Sequence, residues 1–132
     1  MTEEVDAWLR EHGHEIEHFG ALRAGDDDAW TSMAQAAGEA VARGACTLGI
    51  VCCWSGTGAS IAANKVAGVR AALCGDAITA QAARIWNDAN VLALSLRATS
   101  LDVAWEILDA FFSGTPTQDA RYRAMIESLR DK

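Results

Sequence analysis

One stretch of the sequence constrains the fold more than any other: GIVCCWSGTGASIAANK, residues 49–65. It begins with an apolar run that ends at Cys53, continues through a turn of Ser, Gly and Thr residues, and becomes compatible with a helix from Ser60. The order strand, tight loop, helix predicts a loop that exposes backbone N–H groups at the start of a helix. Those groups, with roughly half a positive charge from the helix dipole, favour a bound anion or a negative charge that develops during a reaction. Cys53 lies at the mouth of the loop, where we expect its thiol to ionise more readily.

The rest of the chain alternates between helical and strand patterns. Apolar runs predict strands over 47–53, 70–74 and 91–96, and an alternating pattern predicts a short peripheral strand over 14–19. Helices are predicted over 3–11, 31–43, 60–66, 77–86, 101–112 and 118–129, the fifth with Leu101, Trp105, Leu108 and Phe112 on its inner face. Strands that are apolar throughout and alternate with helices indicate a parallel sheet covered on both faces. The sequence therefore predicts one α/β domain over residues 1–132, with a mainly parallel sheet of about four strands flanked by helices.

Composition narrows the classes of function. The net charge is −7 and no basic stripe is visible, so we expect no nucleic-acid partner. No apolar run reaches the length of about 18 residues that a membrane-spanning helix needs. The four cysteines form no CxxC pair, which favours reduced thiols and a cytoplasmic location. The three histidines lie far from the cysteines in sequence, so we expect no metal site.

The motifs SGTGASIAANK, GVRAALCGD and NDAN follow one another over residues 55–90. In this order and spacing they resemble the family of ribose-5-phosphate isomerase B and galactose-6-phosphate isomerase, and the alignment runs without gaps from Gly49 to Arg97. The resemblance implies a three-layer Rossmann-like domain that forms a homodimer, or a tetramer, with its active site at the dimer interface. It also implies that the chain interconverts aldose and ketose phosphates through an enediolate, without metal or organic cofactor.

The resemblance assigns roles to the residues that match the family motifs. Cys53 matches the cysteine that moves a proton between C1 and C2 of the sugar, and Ser55 keeps a hydroxyl where the family has Thr. The resemblance also implies residues that bind substrate oxygens. The N–H groups of the glycine loop bind the enediolate oxygen, and the first Asn of NDAN binds near the same oxygens. An arginine of the C-terminal helix binds the phosphate in the partner subunit's site. These substrate-binding residues are Gly56, Gly58, Ser60, Asn87 and Arg121. Two further matches, Asn64 and Asp76, are interpreted as structural.

Several positions depart from the family pattern. Trp54 replaces a glycine directly after Cys53, and Trp86 replaces the histidine before NDAN that opens the sugar ring. The family's first strand, which ends in an Asp-His pair, has no counterpart, through either a shortened start or divergence. The two tryptophans either fill space at an interface or form a stacking wall for a ring. Two functions stay open: an isomerase with altered substrate handling, or an inactive or reduced homologue that binds a sugar phosphate or pairs with an active paralogue.

Overall fold

The computed structural model describes residues 1–27 and 29–130, so residues 28, 131 and 132 of the predicted domain lie outside the described part. Helices and strands alternate along the chain as the sequence predicts. No helix in this part of the chain is both long and apolar enough to cross a membrane. The elements are α1 (Thr2–Glu11), α2 (Trp30–Ala42), β1 (Gly49–Cys53), α3 (Thr57–Asn64), β2 (Ala71–Leu73), α4 (Ala77–Asn87), β3 (Val91–Ser95), α5 (Leu101–Ser113) and α6 (Ala120–Glu127), with a 3₁₀ turn at Gly20–Leu22.

The sheet is parallel, with the strand order β1-β3-β2. Gly49 pairs with Val91 and Cys53 with Ser95, and β2 lies on the other side of β3. All five residues of β3 are buried, as expected for a central strand covered on both faces. Because the strands are parallel, their carboxyl ends meet at one edge, and Cys53 lies at that edge.

Helices cover both faces of the sheet, which gives three layers. Successive residues of a strand point to opposite faces. Ile50 and Cys52 of β1 therefore pack towards the core under α1, α4 and α5. Val51 and Cys53 pack towards the core under α2 and α3. This alternation puts the two neighbouring thiols in different layers.

Polar side chains hold the connections around β2. The Asp76 carboxylate accepts a hydrogen bond from the Thr79 N–H (2.7 Å) and so caps α4. That bond lowers the pKa of Asp76. The Asn64 side chain donates to the carbonyl of Ala71 (3.0 Å) and accepts from its N–H (2.7 Å), which ties α3 to β2. The structural interpretation of Asn64 and Asp76 is confirmed.

The prediction of a strand over residues 14–19 was wrong. None of these residues, all of which the structure describes, joins the sheet, so the sheet has three described strands and not four. Side chains hold the segment instead: Ile16 packs against one core and Phe19 against the other. The His18 Nε2 lies 2.7 Å from Asp6 Oδ1 on α1. The alternation in this segment reflects contacts to two different layers and not one face of a strand.

The inner face of α5 also differs from the prediction. Its buried residues are Ala104, Ile107, Leu108 and Phe111. Leu101 is exposed, and Trp105 and Phe112 are half-buried. The helix is apolar around most of its circumference, so periodicity alone left its rotation ambiguous.

Candidate active site

The loop between β1 and α3 turns at Gly56, which has a φ of +79°. A Cβ added there would lie 2.5 Å from Leu73 Cδ1 and 3.0 and 3.1 Å from the carbonyl carbon and oxygen of Leu94. Both the left-handed conformation and the closeness of the β3 backbone require glycine at this position. The loop is thus pressed onto the carboxyl edge of the sheet.

Helix α3 begins at Thr57, three residues earlier than predicted, and its first turn lacks a side-chain cap. The first intrahelical bond runs from the Ser60 N–H to the Gly56 carbonyl (3.1 Å). Among residues 1–27 and 29–130, no acceptor takes a hydrogen bond from the N–H groups of Thr57, Gly58 or Ala59. Ala59 is fully buried. The amides of Thr57 and Gly58, which both line the cavity described next, are available to an anionic or carbonyl oxygen at the positive end of the helix.

A cavity of about 280 Å³ opens beside this loop. The face of the Trp30 indole covers Gly58: a Cβ added at Gly58 would lie 2.9 Å from Cε3 of that ring. Trp30 begins α2, and only the packing of α2 on α3 brings it here. Sequence reasoning missed Trp30, because nothing local marks it as a site residue. The cavity is lined by Trp30, Cys53, Trp54, Ser55, Thr57 and Gly58.

Cys53 is the cysteine that lines this cavity. Cys52 faces the opposite layer, where burial raises the pKa of its thiol to about 11. Burial also raises the pKa of Cys74 to about 11. Burial, followed by the nearby Glu17 carboxylate, raises the pKa of Cys46. These three thiols are therefore held protonated at neutral pH, away from the cavity.

The cavity brings together four of the residues predicted from sequence: Cys53, Trp54, Ser55 and Gly58. Gly56 lies beneath them in the loop. Ser60, by contrast, lines a separate groove of about 550 Å³ on the outer face of α3. That groove is larger, but its lining of Ser60, Ile61, Asn64 and Lys65 contains no thiol, so the smaller cavity is the better candidate for the active site.

The other predicted residues lie at the opposite edge of the sheet. Asn87 ends α4 shortly before β3 begins at the amino edge. Helix α6, which carries Arg121, contacts the same end of α4: the Trp86 and Tyr122 rings lie 4.9 Å apart. Four strand residues, about 13 Å, separate this edge from that of Cys53. Within one chain, Trp86, Asn87 and Arg121 therefore lie apart from the cavity.

Comparison with known proteins identifies the family. A model of the family described as Ribose/Galactose Isomerase matches residues 1–129. The chain belongs to the ribose/galactose isomerase family. The resemblance read from the loop and the NDAN motif is confirmed, as is the α/β fold with a parallel sheet.

Individual members of the ribose/galactose isomerase family show how far the likeness extends. Ribose-5-phosphate isomerase B of Escherichia coli is 36% identical over 129 residues, which cover 98% of this chain and 85% of the relative. The D-erythrulose-4-phosphate isomerase of Pectobacterium atrosepticum is 36% identical over 114 residues, covering 83% and 75%. The structure of Clostridium thermocellum ribose-5-phosphate isomerase B superimposes with a TM-score of 0.89 at 36% identity, covering 96% of this chain and 84% of that one.

Next to the Trp86–Tyr122 pair lies an ionic cluster that sequence reasoning did not find. The Asp88 carboxylate lies 3.1 Å from Arg123 Nη1, 3.5 Å from Arg84 Nη1 and 3.7 Å from Arg70 Nη2. Asp88 is in the left-handed region, with a φ of +48°. In this member of the ribose/galactose isomerase family, the cluster ties α6 to the turn between α4 and β3.

Proposed function

We propose that this chain is a sugar-phosphate isomerase that interconverts an aldose and a ketose, with Cys53 as the base. The observation that supports the proposal is the cavity lined by Cys53 together with Thr57 and Gly58, whose N–H groups at the start of α3 have no acceptor among the described residues. The substrate class is supported by relatives named as isomerases of ribose 5-phosphate and D-erythrulose 4-phosphate.

The residues of the cavity suffice for a stepwise proton transfer. The Cys53 thiolate takes the proton from C2 of the open-chain aldose, C1 and C2 form a double bond, and the carbonyl electron pair moves to O1. The N–H groups of Thr57 and Gly58 stabilise the resulting enediolate oxygen. The hydroxyl pair of Ser55 and Thr57, with oxygens 2.7 Å apart, relays a proton from O2 to O1. The thiol then returns its proton to C1, which leaves the ketose.

The proposed site is shared between two copies of the chain. Asn87 and Arg121 are exposed and lie at the edge of the sheet opposite Cys53. For these residues to bind a sugar hydroxyl and the phosphate beside Cys53, they must come from a partner subunit. Arginine suits this role because its guanidinium pairs with a phosphate through two parallel hydrogen bonds.

Proton exchange tests the chemistry directly. The protein is incubated with ribose 5-phosphate in D₂O, and the C2 proton is followed by NMR. We expect exchange in the wild type and in Cys46→Ser, whose half-exposed thiol lies outside the cavity, and its loss in Cys53→Ala. Exchange that persists in Cys53→Ala would exclude Cys53 as the base.

Mixing two variants tests the shared site. Cys53→Ala and Asn87→Ala are each expected to be inactive, but a mixed dimer contains one site with both residues intact. A co-refolded equimolar mixture should therefore recover about a quarter of the wild-type activity, since half of the dimers are mixed and each has one working site. A mixture as inactive as its components would contradict sharing.

One observation favours binding without turnover as a second candidate. Trp86 stands where the family has its ring-opening histidine, and its indole, packed beside Tyr122, offers no group that titrates near neutral pH. If the protein binds sugar phosphates but exchanges no C2 proton, this second candidate is the function.

A further inference from the structure

We infer that Trp54 and Trp30 form an aromatic clamp that binds the C–H face of a small sugar phosphate beside Cys53 and thereby sets substrate preference. The inference rests on the proposed function for its substrate class. It differs from that proposal in assigning binding to two side chains that have no part in the proton transfer.

The backbone of Trp54 is fixed while its side chain is exposed. Its carbonyl accepts hydrogen bonds from the Arg97 N–H (2.9 Å) and from Ser95 Oγ (3.0 Å). Its side chain nevertheless remains in water, with the residue 70% exposed at the mouth of the cavity. A single exposed aromatic residue is common on protein surfaces and would need no explanation. Trp54, however, lines the same small cavity as a second indole.

That second indole lies against the loop. The Trp30 ring lies against Gly58, where a Cβ would come within 2.9 to 3.2 Å of three ring atoms. Trp30 is still 48% exposed. One face of this ring is therefore supported by the loop, while part of the side chain remains accessible from the cavity.

The aromatic and polar groups of the cavity together favour a ligand that has both a C–H face and polar or anionic oxygens. The polarised C–H bonds of a sugar are attracted to the negative face of an indole ring. Beside the rings lie the hydroxyls of Ser55 and Thr57 and the free amides of α3, which an entirely apolar ligand would leave without partners. None of the six lining residues carries a carboxylate, so the cavity does not repel an anion.

The size of the cavity in the single chain is in keeping with a small ligand. Within the single chain its volume of about 280 Å³ lies just below the range for ligand pockets, roughly 300–1,000 Å³. A short sugar phosphate is a ligand of a size that this cavity accommodates. The clamp therefore favours ligands with a compact carbon skeleton and anionic oxygens.

Calorimetric titration tests the clamp without requiring turnover. The probes are ribitol 5-phosphate, which has the carbon chain but no carbonyl, and inorganic phosphate, which has the anion alone. We expect Trp54→Ala to weaken ribitol 5-phosphate binding about tenfold, equivalent to about 1.4 kcal/mol, and to leave phosphate binding unchanged. Trp54→Phe keeps an aromatic face and should stay within about threefold of the wild type.

Two controls accompany the titration. Leu129→Ala removes another exposed apolar side chain outside the cavity and should bind like the wild type. Urea unfolding should show that Trp54→Ala stays folded, because a residue that is 70% exposed contributes little to the core.

Three results would overturn the clamp: unchanged ribitol 5-phosphate binding in Trp54→Ala, an equal loss of phosphate binding, or a wild type that binds no sugar phosphate. Failure of the proposed isomerase activity can be distinguished from failure of the clamp. In the first case the protein would bind ribitol 5-phosphate through Trp54 but exchange no C2 proton. Failure of the clamp alone would leave proton exchange intact and KM unchanged in Trp54→Ala.

Discussion

The loop conformation at Gly56 gives the sharpest test of the site's architecture. Gly56→Ala would meet two separate costs. An L-residue in the left-handed region costs about 1–2 kcal/mol, and the φ here is +79°. Overpacking typically costs about 1–3 kcal/mol, and the new methyl would lie 2.5 Å from a Leu73 methyl and 3.0 Å from the Leu94 backbone. The sum predicts a loss of about 3 kcal/mol in the free energy of unfolding.

Two other glycines separate these costs. Gly44 has a φ of +81° with nothing within 4 Å of an added Cβ, so Gly44→Ala isolates the conformational cost, expected to be about 1 kcal/mol. At Gly58 the three atoms nearest to an added Cβ all belong to the Trp30 ring, and because Trp30 is 48% exposed its side chain can shift towards solvent. Gly58→Ala should therefore change stability by less than about 1 kcal/mol while narrowing the cavity.

Urea unfolding followed by far-UV circular dichroism measures all three variants. With a typical slope of about 2 kcal/mol per molar urea, Gly56→Ala should lower the midpoint by about 1.5 M and Gly44→Ala by about 0.5 M. If Gly56→Ala lowers the free energy of unfolding no more than Gly44→Ala does, the loop is not pressed against β3. The amides at the start of α3 would then not be held at the carboxyl edge of the sheet.

Three further predictions concern charge and burial. Iodoacetamide at pH 8 should label Cys53 and spare Cys52 in peptide mass spectra, because a pKa of about 11 leaves about 0.1% of the Cys52 thiol ionised; strong labelling of Cys52 would contradict its burial. Hydrogen bonding to His18 lowers the pKa of Asp6 in the folded state. This bond therefore stabilises the folded protein at a pH above the unfolded-state pKa of Asp6, and the stabilisation is lost as the pH falls through the folded-state pKa. Asp6→Asn should therefore cost about 0.5 kcal/mol at pH 7 and nothing near pH 2, and an equal cost at both pH values would exclude the hydrogen-bonded carboxylate as its source. Asp88→Asn keeps a residue that tolerates the positive φ but removes the charge shared by three arginines. We expect the free energy of unfolding, measured by thermal unfolding, to fall by about 2 kcal/mol. An unchanged midpoint temperature would show that the cluster adds no stability.

The sequence was most informative where the signal is local. The apolar runs over 47–53 and 91–96 predicted buried strands, and the Gly and Ser residues after Cys53 predicted a turn at a strand end. Strand periodicity also separates Cys52 from Cys53, since neighbouring residues of a strand face opposite layers. The family, the α/β class and the position of the thiol beside the loop all followed from such patterns.

Errors arose where side chains from distant segments compete for the same space. Residues 14–19 alternate like a strand, yet Ile16 and Phe19 contact two different cores and His18 contacts α1. In α5, apolar residues surround most of the helix, and packing against α4 rather than periodicity chose Phe111 over Phe112 as the buried residue.

The sequence by itself determined the three strands of the sheet, the glycine loop, the place of Cys53 at the end of β1 and the family, because these depend on residues adjacent along the chain. Only the tertiary structure decided which groups share a site. It brought Trp30 onto Gly58, and it placed Asn87 and Arg121 at the opposite edge of the sheet from Cys53. The physical reason is that a pattern along the chain specifies which face of an element is buried, whereas the packing of helices and the register of strands decide which faces meet.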